Sequence, residues 1–188
     1  MTETLWAGDF GDAYTERNRD AGHGRGEFWR ELVAKYEITS ALEVGCNAGA
    51  NLLHLSEMIK VAGVDVNQGA LDLIPQRIPT WRVSASDLPF PNRSFDLAFT
   101  IGVLIHIPLV KLNLAMGEIV RCSDRYVLCG EYHAEVEETV PYRGQERALW
   151  RRPYGELYQE QFGLALVDSG LLTGGTWDDI DWALLERA

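Results

Sequence analysis

Residues 42–51 read Leu-Glu-Val-Gly-Cys-Asn-Ala-Gly-Ala-Asn. The apolar run Ser40–Val44 that leads into this stretch has the pattern of a buried strand. Gly45 ends the strand, and Gly49 opens a helix predicted over 49–58, where Leu52, Leu53, Leu55 and Met58 are apolar. Missing side chains at the two glycines let the backbone approach a ligand closely. The helix N-terminus beyond them offers free N–H groups and a partial positive charge. Asn47 stands where such loops often carry a further glycine, and Asn tolerates positive φ better than other side chains. A tight turn with no ligand would also use these glycines, so the next strand has to decide.

That strand is predicted over 61–66 and ends Gly-Val-Asp-Val-Asn, with Asp65 at its carboxyl end. An acid about 20 positions beyond a glycine loop, on the neighbouring strand, is placed to accept hydrogen bonds from ribose hydroxyls. Asp65 could alternatively cap the helix that follows. Loop and acid together predict a nucleoside ligand.

Outward from this pair, helical spacing covers 27–36, 68–77 and 109–120, and apolar strand patterns cover 81–85, 95–103 and 126–130. Strands alternating with helices predict a mostly parallel sheet with helices on both faces. Two late runs, 164–167 and 182–185, flank the turn-forming SGLLTGGTWDD and are expected to pair antiparallel. Between them and the fifth strand lies a polar, aromatic segment, 131–162. The first 26 residues carry Gly8, Gly11, Gly22, Gly24 and Gly26, so no long regular helix is expected there. Their aromatics, Trp6, Phe10 and Tyr14, would either tack the segment to the core or close it over a site as a lid.

The chain has 188 residues, which predicts a single domain over 1–188. Lys and Arg number 17 against 28 Asp and Glu, a net charge of -11 that repels phosphate backbones and argues against nucleic acid. It suits a cationic or neutral small ligand. The longest apolar stretch, 97–110, is interrupted by Thr100, Gly102, His106 and Pro108 and falls short of the roughly 18 residues a membrane span needs. Three cysteines without metal-ligand spacing, and no signal-peptide pattern, give a cytoplasmic expectation with reduced thiols and no metal. A homodimer is carried as a candidate assembly.

A dinucleotide fold wants G-x-G-x-x-G, and Gly45-Cys46-Asn47-Ala48-Gly49-Ala50 departs from it at the second and third glycines. The loop instead resembles the first motif of class I S-adenosylmethionine (SAM)-dependent methyltransferases, acid-x-Gly-x-Gly-x-Gly, with Asn47 as the departure. That resemblance implies a Rossmann-like α/β fold with a seven-stranded sheet, and SAM as cofactor. It implies Glu43 for the methionine amino group, Asp65 for the ribose, Ser86 or Asp87 beside the adenine, and the strand end at Thr100 beside the methyl group. The stretches LWAGDFGDAYTERN, GVLIHI, RCSDRYVLCGEY, PYRGQE and DDIDWALLE resemble small methyltransferases associated with pseudaminic acid biosynthesis. This implies a small polar substrate such as an amino sugar, with an amino acid or guanidino compound as the alternative. A SAM-binding protein without catalysis and an NAD-dependent oxidoreductase are the rivals from other classes.

On the substrate side, His106 and Glu131 follow the fourth and fifth strands and are the catalytic candidates. His106 could act as general base, or could be a partly buried histidine bonded to backbone. Glu131 could pair with a substrate ammonium, or with one of the arginines downstream. Tyr132 and Arg143 are substrate-side candidates, Arg143 as a carboxylate or phosphate clamp or as a solvated loop arginine. By resemblance to small-molecule methyltransferases with mobile N-terminal segments, Trp6 and Tyr14 close over the site.

Overall fold

Every residue of β1 (Ser40–Val44) after the first is buried, because this strand is covered on both faces. In the computed structural model, which describes residues 2–19, 22–174 and 177–187, β1 pairs in parallel with both β2 (Lys60–Asp65) and β4 (Phe95–Ile101). The chain goes on to β3 (Thr80–Arg82) beyond β2 and to β5 (Ser123–Glu131) beyond β4, both parallel. Strand order therefore reverses between β1 and β4, and a crevice opens at their carboxyl ends. Two further strands, β8 (Ala165–Leu172) and β9 (Ile180–Glu186), form the expected late antiparallel pair, with β9 inserted against β5. The seven-stranded sheet runs β3-β2-β1-β4-β5-β9-β8.

Alternation along the strands divides the core into two. Leu42, Val44, Ala98 and Val127 face one side, where α6 (Leu109–Cys122) contributes Leu112, Met116 and Ile119 and α7 (Tyr154–Phe162) contributes Tyr154 and Tyr158. Ala41, Leu97, Phe99 and Leu128 face the other, against Trp29 and Leu32 of α3 (Gly26–Tyr36). The helices predicted over 49–58 and 68–77 are shorter than expected: regular helix is confined to α4 (Leu52–Leu55) and α5 (Gln68–Leu71), with turns around them.

Two segments depart from the sequence reading. The glycine-rich N-terminus contains α1 (Thr2–Trp6) and α2 (Asp9–Arg17). Its glycine at 11 does not break α2; it lets that helix cross the end of α1, since a Cβ there would lie 1.8 Å from the Trp6 carbonyl oxygen. Met1, Asp20 and Ala21 of this segment, and Gly175 and Thr176 of the late turn, lie outside the described residues. The polar segment 131–162 holds an antiparallel hairpin, β6 (Glu138–Tyr142) and β7 (Gln145–Arg151), followed by α7. Arg143 and Gly144 both have positive φ, 47° and 80°, which is the backbone that a two-residue turn between twisted strands requires. The three cysteines are free and buried.

Candidate functional site

The glycine loop is built as its residues predict. Gly45, Asn47 and Gly49 all have positive φ, at 78°, 46° and 80°. A Cβ on Gly45 would lie 2.5 Å from Val103 Cγ2, so only glycine passes there. The Asn47 N–H donates to Asp65 Oδ2 at 2.8 Å, and the Asn67 N–H donates to Asp65 Oδ1 at 2.9 Å. Each Asp65 oxygen thus holds one backbone N–H and keeps a lone pair for another donor. Burial raises the Asp65 pKa, while those N–H groups pull the other way. Helix capping falls to Asn67, whose side chain accepts from the Ala70 N–H at 2.8 Å.

Glu43, at the end of β1, is 3% exposed. Its Oε1 accepts from Asn51 Nδ2 at 2.6 Å, and its Oε2 has no hydrogen-bond partner. Burial pushes its pKa up to about 8, against the pull of the Asn51 amide and Arg25. Asn51 Oδ1 in turn accepts from Arg25 Nη1 at 3.1 Å and Trp29 Nε1 at 3.2 Å. Asn51, Arg25 and Trp29 escape the sequence reading. Asn51 closes the quoted loop stretch, where nothing in the local pattern marks it out from its neighbours.

Glu43, Asp65 and the loop face one cavity of about 390 Å³. Past β3 its wall is made by Val83 and Ala85. Ser86 and Asp87 do not line it: Asp87 is exposed, and Ser86 Oγ lies 2.8 Å from Ser84 Oγ. At the end of β4 the lining is Ile101, Gly102 and Val103, whereas Thr100 is fully buried beside the Glu131 carboxyl.

The N-terminal segment roofs this cavity. Trp6 and Tyr14 line it, as expected of a lid. Asn67 Nδ2 donates to the Trp6 carbonyl at 3.1 Å and to Asp12 Oδ1 at 2.8 Å. Glu3 pairs with Lys111 at 2.6 Å and accepts from the Ser84 hydroxyl. The Trp6 ring packs against Phe10 and Tyr14, each at 5.2 Å, and against His106 at 4.3 Å. These contacts tack the segment onto the core, the first of the two alternatives for its aromatics.

His106 and Tyr132 both line the cavity. His106 Nδ1 lies 2.5 Å from the Ala148 carbonyl oxygen, which can only accept. Nδ1 therefore carries the proton and Nε2 is left as an acceptor. Burial drives the His106 pKa down to about 4, so the ring is neutral. Glu131 takes neither of its expected partners. It is 2% exposed and absent from the cavity wall. Its carboxylate accepts from the N–H groups of Val103, Leu104 and Ile105 at 3.1–3.3 Å, which caps the short 3₁₀ turn Leu104–His106. Arg143 sits exposed at the hairpin tip, outside the cavity wall, with its guanidinium 5.7 Å from the Tyr142 ring. Tyr142 and Leu149 of the same hairpin reach the cavity instead. Among the described residues no cluster of three metal-ligating side chains occurs, and no helix is long and apolar enough to cross a membrane.

Residues 42–125 match a family model described as a methyltransferase domain. A demethylmenaquinone methyltransferase of Tropheryma whipplei is 26% identical over 132 residues, which cover 64% of this chain; the chain spans 55% of that relative's length. The magnesium protoporphyrin IX methyltransferase of Synechocystis PCC 6803, crystallised with SAM, superposes with a TM-score of 0.71 at 12% identity, covering all of this chain and 98% of the other. The 1,6-didemethyltoxoflavin-N1-methyltransferase of Burkholderia thailandensis, bound to its namesake 1,6-didemethyltoxoflavin and S-adenosylhomocysteine, gives 0.71 at 16% identity, covering 98% and 84%. The fold is the Rossmann-like α/β fold of those enzymes.

Proposed function

We propose that this protein is a SAM-dependent methyltransferase acting on N or O of a small polar metabolite. One observation carries the reading. The glycine loop presents two strand-end carboxylates to a single roofed cavity, and one of them, Glu43, keeps a buried oxygen with no partner. An ammonium group on the ligand would supply the missing donor and hold Glu43 ionised, and ribose hydroxyls would take the remaining lone pairs of Asp65. Val83 and Ala85 offer an apolar wall for a base. The residues present thus suit a nucleoside that carries an amino acid.

SAM, when bound, supplies a methyl group on a sulfonium, which needs an in-line nucleophile about 3–3.5 Å away. The chain's own work is then positioning. Glu43, oriented by Asn51, and Asp65, oriented by Asn47 and Asn67, fix the ligand. The lid of Trp6 and Tyr14 excludes water. His106 Nε2 presents a neutral acceptor to an incoming N–H or O–H. Glu131 acts from behind by holding the 103–105 backbone. An amino sugar or related intermediate is the acceptor favoured by the resemblance of LWAGDFGDAYTERN and PYRGQE to the pseudaminic acid-associated methylases; an amino acid or guanidino compound is the alternative.

Calorimetric titration with S-adenosylhomocysteine, and in parallel with NAD, tests this. Binding of the first alone supports the proposal, and at 100 times its Kd it should add about 2.7 kcal/mol of stability. Binding of NAD alone, or of neither, sinks it.

A further inference from the structure

The acceptor end of the cavity has an uneven set of polar groups. Four rings border it: Trp6 and Tyr14 from the lid, Tyr132 after β5 and Tyr142 from the hairpin. His106 lies among them, 4.3 Å from the Trp6 ring and 5.3 Å from the Tyr142 ring. Its one proton is committed to the Ala148 carbonyl, so it can only accept. The exposed carboxylate of Asp178 also lines the cavity; burial raises the Tyr14 and Tyr132 phenol pKa values, and the nearby Asp178 charge adds to that rise. Apart from the Trp6 indole N–H, a neutral donor with no partner, these groups are acceptors or amphoteric hydroxyls.

Cations on the wall are already engaged. Lys111 is held by Glu3 at 2.6 Å. Arg25 donates to Asn51, stacks on Trp177 at 4.3 Å, and lies in the fields of Glu43 and Asp178. Arg19, at the far rim, pairs with Glu16 at 2.9 Å. Arg143, for which an anion clamp and a solvated loop arginine are the alternatives, is exposed and outside the cavity. A carboxylate or phosphate on the acceptor would meet ring faces and another carboxylate, and both are unfavourable. An ammonium would meet ring quadrupoles, a neutral imidazole nitrogen and a carboxylate, and all three attract it.

On the methyltransferase reading, on which this step rests, we infer that the acceptor is a compact amine bound as its ammonium between these rings, with Asp178 as the residue that selects positive over negative charge. Anionic acceptors, including phosphorylated or nucleotide-linked sugars, are rejected. For transfer, the bound ammonium releases one proton to water at the cavity mouth. The freed nitrogen lone pair forms the N–C bond to the methyl carbon as the C–S bond breaks, its electron pair going to sulfur. A methylated ammonium and an uncharged thioether result, so charge is conserved.

The test needs no knowledge of the natural acceptor. Benzyltrimethylammonium and benzenesulfonate, a cation and an anion of similar shape, are titrated calorimetrically into the protein with and without S-adenosylhomocysteine, and into Asp178→Asn. The cation is expected to bind at least tenfold tighter than the anion. Asp178→Asn should cut that preference about tenfold, with S-adenosylhomocysteine affinity unchanged within twofold. No binding of the cation, equal or stronger binding of the anion, or an undiminished preference in Asp178→Asn each overturns the inference. Failure of S-adenosylhomocysteine to bind counts against the methyltransferase reading itself, and the charge preference is then judged from the titrations without it.

Discussion

The backbone N–H of Asn47 donates to Oδ2 of Asp65 at 2.8 Å, tying the tip of the glycine loop to the end of the adjacent strand. The two features that predicted a nucleoside ligand are thus one mechanical unit. Asp65 shapes the loop as well as offering acceptors to a ligand.

Replacing Asp65 should therefore damage binding twice over. Asp65→Ala removes both the ligand contact and the anchors for the Asn47 and Asn67 N–H groups. Hydrogen bonds to a charged group contribute about 1.5–3 kcal/mol each. S-adenosylhomocysteine affinity is expected to fall at least tenfold by calorimetry. Asp65→Asn, which retains one acceptor oxygen, should lose less.

Glu131 is expected to behave as a positioning residue. Burial pushes its pKa up to about 7, above the unfolded value near 4.3. Between those values the unfolded chain holds fewer protons than the folded one, so this group's contribution to stability falls as pH rises. Glu43, pushed up to about 8, acts in the same direction. Glu131→Gln should flatten the decline in Tm between pH 5 and 7 and leave S-adenosylhomocysteine affinity within about threefold. Glu131→Ala strands three backbone N–H groups and should destabilise by about 1–3 kcal/mol.

His106 has the opposite sign. Its folded pKa of about 4 lies below the unfolded value near 6.5. Within that window the unfolded state takes up the proton that the folded state refuses, so stability is lost as pH falls from 6.5 towards 4. Nitrogen-15 NMR of the imidazole should show a neutral ring with the proton on Nδ1 and no titration between pH 5.5 and 8. A midpoint near 6.5 would remove His106 as a neutral acceptor.

The lid should open without global unfolding. The Glu3–Lys111 pair is about 40% exposed on both sides, so Glu3→Ala should change stability by less than about 1 kcal/mol. It should nevertheless speed amide exchange across residues 2–17, because Glu3 also accepts from Ser84. Saturating S-adenosylhomocysteine is expected to slow that exchange in the wild type. Equal exchange with and without ligand would mean that the segment does not respond to occupancy.

Gly11→Ala offers a separate test of how the lid is seated. Its Cβ would collide with the Trp6 carbonyl, and the Asn67 amide lies 2.7 Å away. The variant should free Trp6 from His106, shifting tryptophan fluorescence, while the sheet domain remains folded by circular dichroism.

The order of residues along the chain is enough to read the sheet, the glycine loop and the acids at the ends of β1 and β2. These depend on near-neighbour signals: apolar runs, glycines at fixed offsets, and strands alternating with helices. It also placed Trp6, Tyr14, His106 and Tyr132 near a site, and all four line the cavity. The partners of Glu131, Arg143 and Asn51 emerge only from three-dimensional packing. Glu131 ends β5, where a catalytic residue would stand, but its side chain turns to the 103–105 backbone, 26–28 positions earlier in the chain. Arg143 was carried to the tip of a hairpin whose mostly exposed strands leave little apolar pattern to read. Asn51 gained its role from Arg25 and Trp29, 26 and 22 positions away. Local pattern fixes which segments form strands and turns, because those preferences act over a few residues. Which polar group meets which across the chain is settled only when packing leaves a buried donor or acceptor that must find a partner.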